Sequence, residues 1–154
     1  MRQYAANEDA TERLGRACAG LLTPGRRVFV SGDLGAGKTT LIRGMLRGLG
    51  HRGAVTSPTY TLVEPYSLCG LTVYHLDLYR IDDPGELEFI GLRDMFDEHS
   101  LCLIEWPERA ADRLPTADIA IAIEILGHGR MLRFESQHDI DWAGYGLAEP
   151  DGPD

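Results

Sequence analysis

Apolar residues recur at the spacing of one helix face in two segments near the N-terminus of the chain. The first segment carries Leu14, Ala17, Cys18, Leu21 and Leu22. Asp9 or Thr11 precedes this stripe and could cap the start of its helix. The second segment carries Ile42, Met45, Leu46 and Leu49. Because glycine often follows the last residue of a helix, we predict that the second helix ends at Gly50.

Short apolar runs rich in β-branched residues predict strands between and after these helices. The runs are 28–30, 71–76, 101–104, 119–125 and 131–134. The last two flank a Gly-His-Gly segment at 127–129 and therefore predict a hairpin. Residues 60–68 alternate weakly and contain Pro65, which favours an edge strand because proline cannot donate a ladder hydrogen bond.

The remaining stretches carry turn residues or a weaker helical pattern. Residues 51–59 indicate a loop. Asp83 followed by Pro84 is typical of a helix start, so we predict a helix from there to about residue 96, broken near Gly91. From Ser136 the chain is rich in glycine, proline and acidic residues. We therefore expect one domain at 1–135 and a loosely ordered, polar acidic tail at 136–154.

A glycine-rich segment lies between the first predicted strand and the second predicted helix. It reads GDLGAGKTT at 32–40 and fits the phosphate-binding pattern G-x-x-x-x-G-K-[ST] in the order that a P-loop requires. Its glycines let successive backbone N–H groups face an anion. Lys38, the single lysine of the chain, should reach the β- and γ-phosphates, and the Thr39 hydroxyl should ligate Mg²⁺.

The combination of helices, buried strands and hairpins predicts the fold class. Continuous apolar runs near the P-loop are typical of parallel strands, whereas a hairpin joins antiparallel ones. We therefore predict an α/β, three-layer P-loop NTPase fold with a mixed sheet. The sheet should be parallel near the P-loop and carry antiparallel hairpins at its edge.

Charge and composition restrict the function classes. The formal net charge of −9 argues against strong independent binding of nucleic acid, and an acidic surface suits a protein partner instead. The chain has neither a stretch as long as a membrane span nor an apolar secretory signal, so we expect a cytoplasmic protein. Cys18, Cys69 and Cys102 lack the spacing of zinc ligands, and we expect no redox role for them.

A site for Mg²⁺ and a nucleotide needs an acid at the carboxyl end of a neighbouring strand. Asp77 follows the run at 71–76, and Glu105 follows the run at 101–104. Either acid could hold Mg²⁺ while the other orients the attacking water, and the sequence leaves these roles open. Residues 56–59 read TSPT and indicate either an ordinary Ser-Pro turn or a segment whose hydroxyl senses the γ-phosphate.

Several other residues near these acids have two interpretations each. His75 is two residues before Asp77 and could face the same way, although a buried, hydrogen-bonded histidine is the simpler interpretation. Trp106 follows Glu105 and could form an aromatic wall or cap the core. The arginines that could offset transition-state charge are Arg80, Arg109 and Arg130, and spacing assigns none of them. The chain lacks the Asn-Lys-x-Asp element of guanine recognition, which favours ATP.

Five motifs occur in a fixed order along the chain. They read GDLGAGKTT at 32–40, SPTYTLV at 57–63, HLDLYR at 75–80, ELE at 86–88 with GL at 91–92, and IEWPER at 104–109. Together they resemble the TsaE (YjeE) family, bacterial ATPases of tRNA threonylcarbamoyladenosine synthesis, from about residue 14 to 134. The resemblance implies ATP or ADP and Mg²⁺ as ligands, and weak ATPase activity that partner proteins TsaD and TsaB raise. TsaD modifies the adenosine next to the anticodon, so the chain would reach tRNA indirectly through this complex.

The resemblance also implies roles for individual residues. The phosphates would be cradled by Gly35, Ala36, Gly37, Lys38, Thr39 and Thr40. Thr39 and Glu105 would hold Mg²⁺, and Asp77 matches the Walker-B-like acid of the family. Two further matches are Thr59 in the switch-like segment and Arg130 near the nucleotide. The candidate catalytic residues are therefore Lys38, Asp77 and Glu105.

Two other functions use the same loop. A small-molecule kinase usually needs a basic lid over the phosphates, for which Arg109 and Arg113 give only thin support. A nucleotide-dependent interaction module with negligible hydrolysis needs one acid for Mg²⁺, whereas this chain offers both Asp77 and Glu105. Phosphate release with and without partners would separate the ATPase from the module, and a substrate panel would test the kinase.

Overall fold

The computed structural model describes residues 1–148. Its strands form one mixed, seven-stranded sheet. They are β1 (Arg2–Ala5), β2 (Arg27–Ser31), β3 (Val63–Leu68), β4 (Leu71–Asp77), β5 (Ser100–Glu105), β6 (Ile119–Leu126) and β7 (Gly129–Ser136), in the order β1-β7-β6-β2-β5-β4-β3. β2 is parallel to both β5 and β6, and β4 is parallel to β5. The hairpins β3–β4 and β6–β7 are antiparallel, and β1 adds an antiparallel edge strand beside β7. The predicted fold class is confirmed.

Helices cover both faces of this sheet. They are α1 (Glu8–Ala17), α2 (Lys38–Gly48), α3 (Glu86–Phe89) and α4 (Leu92–Met95), with 3₁₀ turns at Cys18–Leu21, Pro107–Arg113 and Trp142–Tyr145. The larger core lies on the face that α2 covers, where Leu41 and Met45 pack with Val28 and Leu103. The second core lies on the opposite face, where Leu87 of α3 and residues of α4 meet β4 and β5. Burial of these two apolar faces produces the three layers.

Both predicted N-terminal helices are present, but the cap of the first was predicted wrongly. The Asn7 side chain, not Asp9 or Thr11, accepts the hydrogen bond from the Ala10 N–H at 2.9 Å. An Asn at this position satisfies a helix donor that otherwise lacks a partner. α2 is followed by Gly50 at φ 103°, in the left-handed conformation that the prediction of a terminating glycine requires.

The helical stretch after β4 is shorter than predicted. Asp83 accepts a hydrogen bond from the Gly85 N–H at 2.9 Å, and regular helix begins only at Glu86. The predicted break at Gly91 is present, because Gly91 has φ 76° and separates α3 from α4. Residues 51–59 form no regular element, as predicted.

Part of the segment after β7, for which composition predicts a loosely ordered tail, packs on the core. Leu147 is fully buried in the larger core, and the Trp142 ring lies 5.9 Å from the Phe134 ring. The few apolar residues of this polar segment therefore have partners in the core, which composition alone does not reveal. Residues 149–154, the rest of the expected tail, lie outside the described residues.

No helix among residues 1–148 is both long enough and apolar enough to cross a membrane.

The parallel strands β2, β4 and β5 end at Ser31, Asp77 and Glu105, at one edge of the sheet. The carboxyl edge of such a sheet is where α/β proteins bind ligands. The fold thus collects the sequence-predicted acids beside the glycine-rich loop.

Candidate nucleotide-binding site

The glycine-rich loop connects β2 to the N-terminus of α2. Gly35 and Gly37 have φ values of 77° and 104°, conformations that favour glycine over residues with a side chain. A Cβ on Gly35 would meet nothing within 4 Å, so the loop is open on that side. The loop thus curls at the start of α2, where backbone N–H groups and the helix dipole favour an anion.

The Lys38 ammonium group lies inside this loop. Its Nζ donates hydrogen bonds to the Gly32 carbonyl at 2.7 Å and to the Asp33 carbonyl at 2.8 Å. The Trp106 ring covers it, with a centroid 4.4 Å from Nζ. Burial lowers the pKa of Lys38, and the charges of Glu105 and Asp77 partly oppose that shift. The loop therefore holds a largely desolvated point charge beside the open anion site.

The Thr39 hydroxyl and the Glu105 carboxylate meet at the end of β5. Thr39 Oγ1 lies 3.0 Å from each carboxylate oxygen, and Glu105 is buried. Hydroxyl and carboxylate oxygens are the ligands that Mg²⁺ prefers, so these residues fit that ion. Within residues 1–148 no group of three or more His, Cys, Asp and Glu side chains could hold a metal. A pair of protein ligands suits Mg²⁺, which usually completes its coordination with phosphate and water.

Asp77 lies beside Glu105 in the parallel register of β4 and β5. Its Oδ2 accepts hydrogen bonds from Ser57 Oγ and, at 3.1 Å, from Thr59 Oγ1. Its Oδ1 accepts the Tyr79 N–H at 3.0 Å. The structure thus joins Asp77 to the 56–59 segment through two hydroxyls, of which sequence reasoning had singled out only that of Thr59.

Of the three arginines considered from the sequence, one contacts the glycine-rich loop and two do not. Arg130 donates from Nε to the Ala36 carbonyl at 3.0 Å and from Nη2 to the Gly35 carbonyl at 3.2 Å. Arg80 instead stacks on the exposed Tyr60 ring at 4.3 Å. Arg109 lies over the Tyr79 ring at 5.3 Å. Arg130 is therefore the arginine that the fold places against the P-loop.

A cavity of about 450 Å³ joins these groups, a size typical of small-molecule sites. Its lining includes Gly35, Ala36, Gly37, Lys38, Thr39, Thr40, Thr59, Asp77, Glu105 and Arg130, all of them predicted from sequence. Sequence reasoning did not assign Asn7, Glu8, Thr11 and His128 to the site. Asn7, Glu8 and Thr11 enter the lining because α1 packs on α2, which no local pattern indicates.

A glycine loop between a central parallel strand and a helix, with acids at the ends of neighbouring strands, defines the class of P-loop NTPases. Residues 5–132 match the model of the family described as "Threonylcarbamoyl adenosine biosynthesis protein TsaE". The chain belongs to the TsaE family, and the resemblance drawn from its motifs is confirmed.

Individual relatives agree with this assignment. A Haemophilus influenzae protein named tRNA threonylcarbamoyladenosine biosynthesis protein TsaE is 47% identical over 145 residues, covering 91% of this chain and 92% of its own. A Bacillus subtilis protein of the same name is 37% identical over 127 residues, covering 82% of this chain and 79% of its own. The crystal structure of Bacillus subtilis YdiB superposes with a TM-score of 0.75 at 30% identity, covering 88% of this chain and 84% of the other.

Proposed function

We propose that this chain is an Mg²⁺-dependent ATPase that supports threonylcarbamoyl modification of the tRNA adenosine next to the anticodon, together with TsaD- and TsaB-like proteins. The observation that carries the proposal is the convergence of Lys38, Thr39, Asp77 and Glu105 on one cavity beside a P-loop. Membership of the TsaE family supports the pathway. The ligands would be ATP before hydrolysis and ADP after it.

The P-loop would bind and orient the phosphates. Backbone N–H groups from Gly35 to Thr40 lie at the start of α2, and Lys38 adds a positive charge whose attraction for phosphate is stronger where water is excluded. Lys38 would exchange its hydrogen bonds with the Gly32 and Asp33 carbonyls for phosphate oxygens. Arg130 would brace the loop through the Gly35 and Ala36 carbonyls. Such fixed positive groups stabilise charge on a transferring phosphoryl group.

Thr39 and Glu105 would hold Mg²⁺, because their hydroxyl and carboxylate oxygens lie close together and oxygen atoms are the ligands that Mg²⁺ prefers. When bound, Mg²⁺ supplies charge neutralisation at the phosphate oxygens. Trp106 covers Lys38 and would exclude water from that side of the site.

Asp77 would orient the attacking water and accept its proton. Its carboxylate borders the cavity one strand away from Glu105, and the hydroxyls of Ser57 and Thr59 already point at it. A positioned base typically contributes 10²–10⁴-fold to a rate. The same hydroxyls would link hydrolysis to the conformation of the 56–59 segment and thereby signal the nucleotide state to a partner.

The net charge agrees with action through partners rather than directly on tRNA. A formal net charge of −9 disfavours independent binding to the phosphate backbone of tRNA. TsaD- and TsaB-like proteins would therefore supply the tRNA-binding surface of the complex. Purified chain alone should bind tRNA weakly.

Phosphate release from ATP tests the proposal. We expect a low rate for the chain with Mg²⁺, a sharp rise on adding TsaD, TsaB and tRNA, and no turnover with EDTA. Asp77→Ala should retain ATP binding but lose about 10²-fold or more of the stimulated rate. Bound ATP without stimulation would contradict the proposal and favour a passive module, and phosphate transfer to a small molecule would favour a kinase.

A further inference from the structure

His75 is a fully buried imidazole below the candidate Mg²⁺ site, and the mechanism above gives it no role. It lies on the same face of β4 as Asp77, two residues earlier, and pairs in register with Leu103 of β5. From there its Nε2 reaches Glu105 Oε2 at 2.6 Å. Its Nδ1 is buried with no hydrogen-bond partner among the described residues.

The contact with Glu105 fixes which ring nitrogen carries the hydrogen. A carboxylate oxygen only accepts hydrogen bonds, so Nε2 is the donor in this contact. Nδ1 has no partner among the described residues. An unpaired buried polar atom costs free energy that an apolar side chain of similar volume would avoid. His75 is therefore poorly explained as a residue that merely fills the core.

The Glu105 carboxylate receives hydrogen bonds from two separate elements. Thr39 donates from the first turn of α2, and His75 donates from β4. Two donors on different sides restrict both rotation of the carboxylate and its displacement. A carboxylate that could turn freely would not keep its oxygens facing the Thr39 hydroxyl, where Mg²⁺ would lie.

We propose that His75 is the positioning residue for Glu105: its Nε2–H holds the carboxylate in the orientation that faces Thr39 and the Mg²⁺ site. The inference rests on the proposed function, since Mg²⁺ binding by Glu105 belongs to that function. His75 itself would touch neither nucleotide nor metal. Hydrogen-bond partners of this kind typically change metal affinity by about 10–100-fold.

Two matched variants test this role. In His75→Gln the side-chain Nε2 can occupy the position of the imidazole donor, whereas His75→Leu has similar bulk and no donor. Calorimetry would measure the affinity of a non-hydrolysable ATP analogue with Mg²⁺ and with EDTA, and thermal melting would monitor the fold. We expect His75→Leu to lose about 10–100-fold of the affinity seen with Mg²⁺ and to match wild type in EDTA. His75→Gln should recover most of the loss.

Each other outcome overturns the inference. Equal Mg²⁺-dependent affinity in His75→Leu and wild type would remove the positioning role and leave the proposed function standing. Equal losses in both variants, in EDTA as well as with Mg²⁺, would assign His75 a structural role. A wild-type chain whose binding does not depend on Mg²⁺ would overturn the proposed function, and this inference with it.

A second measurement covers the case in which His75→Leu does not fold. Long-range ¹H–¹⁵N spectra of the histidine-labelled wild-type chain report the tautomer of His75 without any nucleotide. We expect the hydrogen on Nε2. The Nδ1–H tautomer would exclude the hydrogen bond to Glu105 and overturn the inference directly.

Discussion

The Lys38 side chain lies between two P-loop carbonyls and the ring of Trp106. This compact space suits an ammonium group, which is a point charge with three rotatable donors. The planar fork of arginine matches carboxylate and phosphate edges but not a tight backbone loop. The single lysine of an arginine-rich chain thus occupies a position whose shape favours lysine.

Lys38→Ala should lose ATP affinity while the fold stays intact. A charge-assisted hydrogen bond contributes about 1.5–3 kcal/mol, so we expect binding to weaken about 10–100-fold. Lys38→Arg should recover little of this, since a planar guanidinium matches a tight backbone loop less well than a compact ammonium group does. Calorimetry measures both variants, with Arg52→Ala as a control for the change in net charge, because Arg52 is exposed and does not line the cavity. Unchanged affinity in Lys38→Ala would remove the site assignment.

Residues of the site could be predicted where a local pattern carries their chemistry. Lys38 and Thr39 belong to one contiguous motif, and Glu105 ends an apolar run that is recognisable as a buried strand. Asn7 and Thr11 could not be predicted, because their place in the cavity depends on how two helices pack. The arginine contact to the P-loop likewise depends on the β6–β7 hairpin, which brings Arg130 next to a segment 94 residues earlier in the chain.

Close packing of α1 on α2 brings residues of both helices to the candidate site. A Cβ on Gly15 would lie 2.2 Å from the Leu41 carbonyl oxygen, and a Cβ on Gly44 would lie 2.1 Å from the Glu12 carbonyl oxygen. The helix backbones are therefore in direct contact. Arg43 reinforces this contact through ion pairs with Glu8 and Glu12. The N-termini of both helices consequently line one cavity.

Gly44→Ala should therefore destabilise the fold and weaken nucleotide binding together. The added methyl group cannot fit against the Glu12 carbonyl without separating the helices, and such overpacking typically costs about 1–3 kcal/mol. Urea unfolding measures the stability change, and calorimetry measures nucleotide affinity. The control is Arg13→Ala, on the exposed side of α1, where we expect a change within about 0.5 kcal/mol. Stability equal to wild type in Gly44→Ala would show that the helices separate at no cost.

Elements with strong periodicity were predicted, whereas the edge strand β1 was not. In α2 several apolar residues fit the spacing of one helix face, and in β5 consecutive apolar residues fit a buried strand. β1 has four residues and a partly exposed face, and its pairing with β7 stabilises it rather than its own sequence. Cap choice at Asn7 was missed because Asp and Thr residues nearby share the same capping chemistry.

The segment after β7 connects distant parts of the whole molecule. Asp118, immediately before β6, accepts hydrogen bonds from the Arg27 N–H at 2.8 Å and from His138 Nε2 at 2.9 Å. Burial alone would raise the pKa of Asp118, but these donors and the Arg27 charge outweigh it, so its pKa lies below the usual range. Composition could not predict this arrangement, because every one of these residues is polar and the donors come from different elements.

Asp118→Asn should lower stability at neutral pH and remove part of its pH dependence. Because folding depresses the pKa of Asp118, its carboxylate contributes stability above the unfolded pKa of about 3.9. That contribution is lost as the pH falls through the lower folded pKa. We therefore expect a deficit of about 1 kcal/mol at pH 7 that shrinks on acidification below about pH 4. Urea unfolding across pH measures this, with exposed Asp139→Asn as control, and a deficit independent of pH would contradict the charge argument.

Leu147→Ala tests whether residues 137–148 belong to the domain. Leu147 is fully buried, and its N–H donates to the Trp142 carbonyl at 2.9 Å, which closes the segment over Phe134. Truncating a buried leucine typically costs about 2–5 kcal/mol, because it removes apolar contacts and leaves a cavity. Ile125→Ala is the matched truncation at an exposed apolar position and should cost much less. A loosely ordered tail would instead make Leu147→Ala as mild as its control in urea unfolding, and that result would support a domain boundary at residue 135.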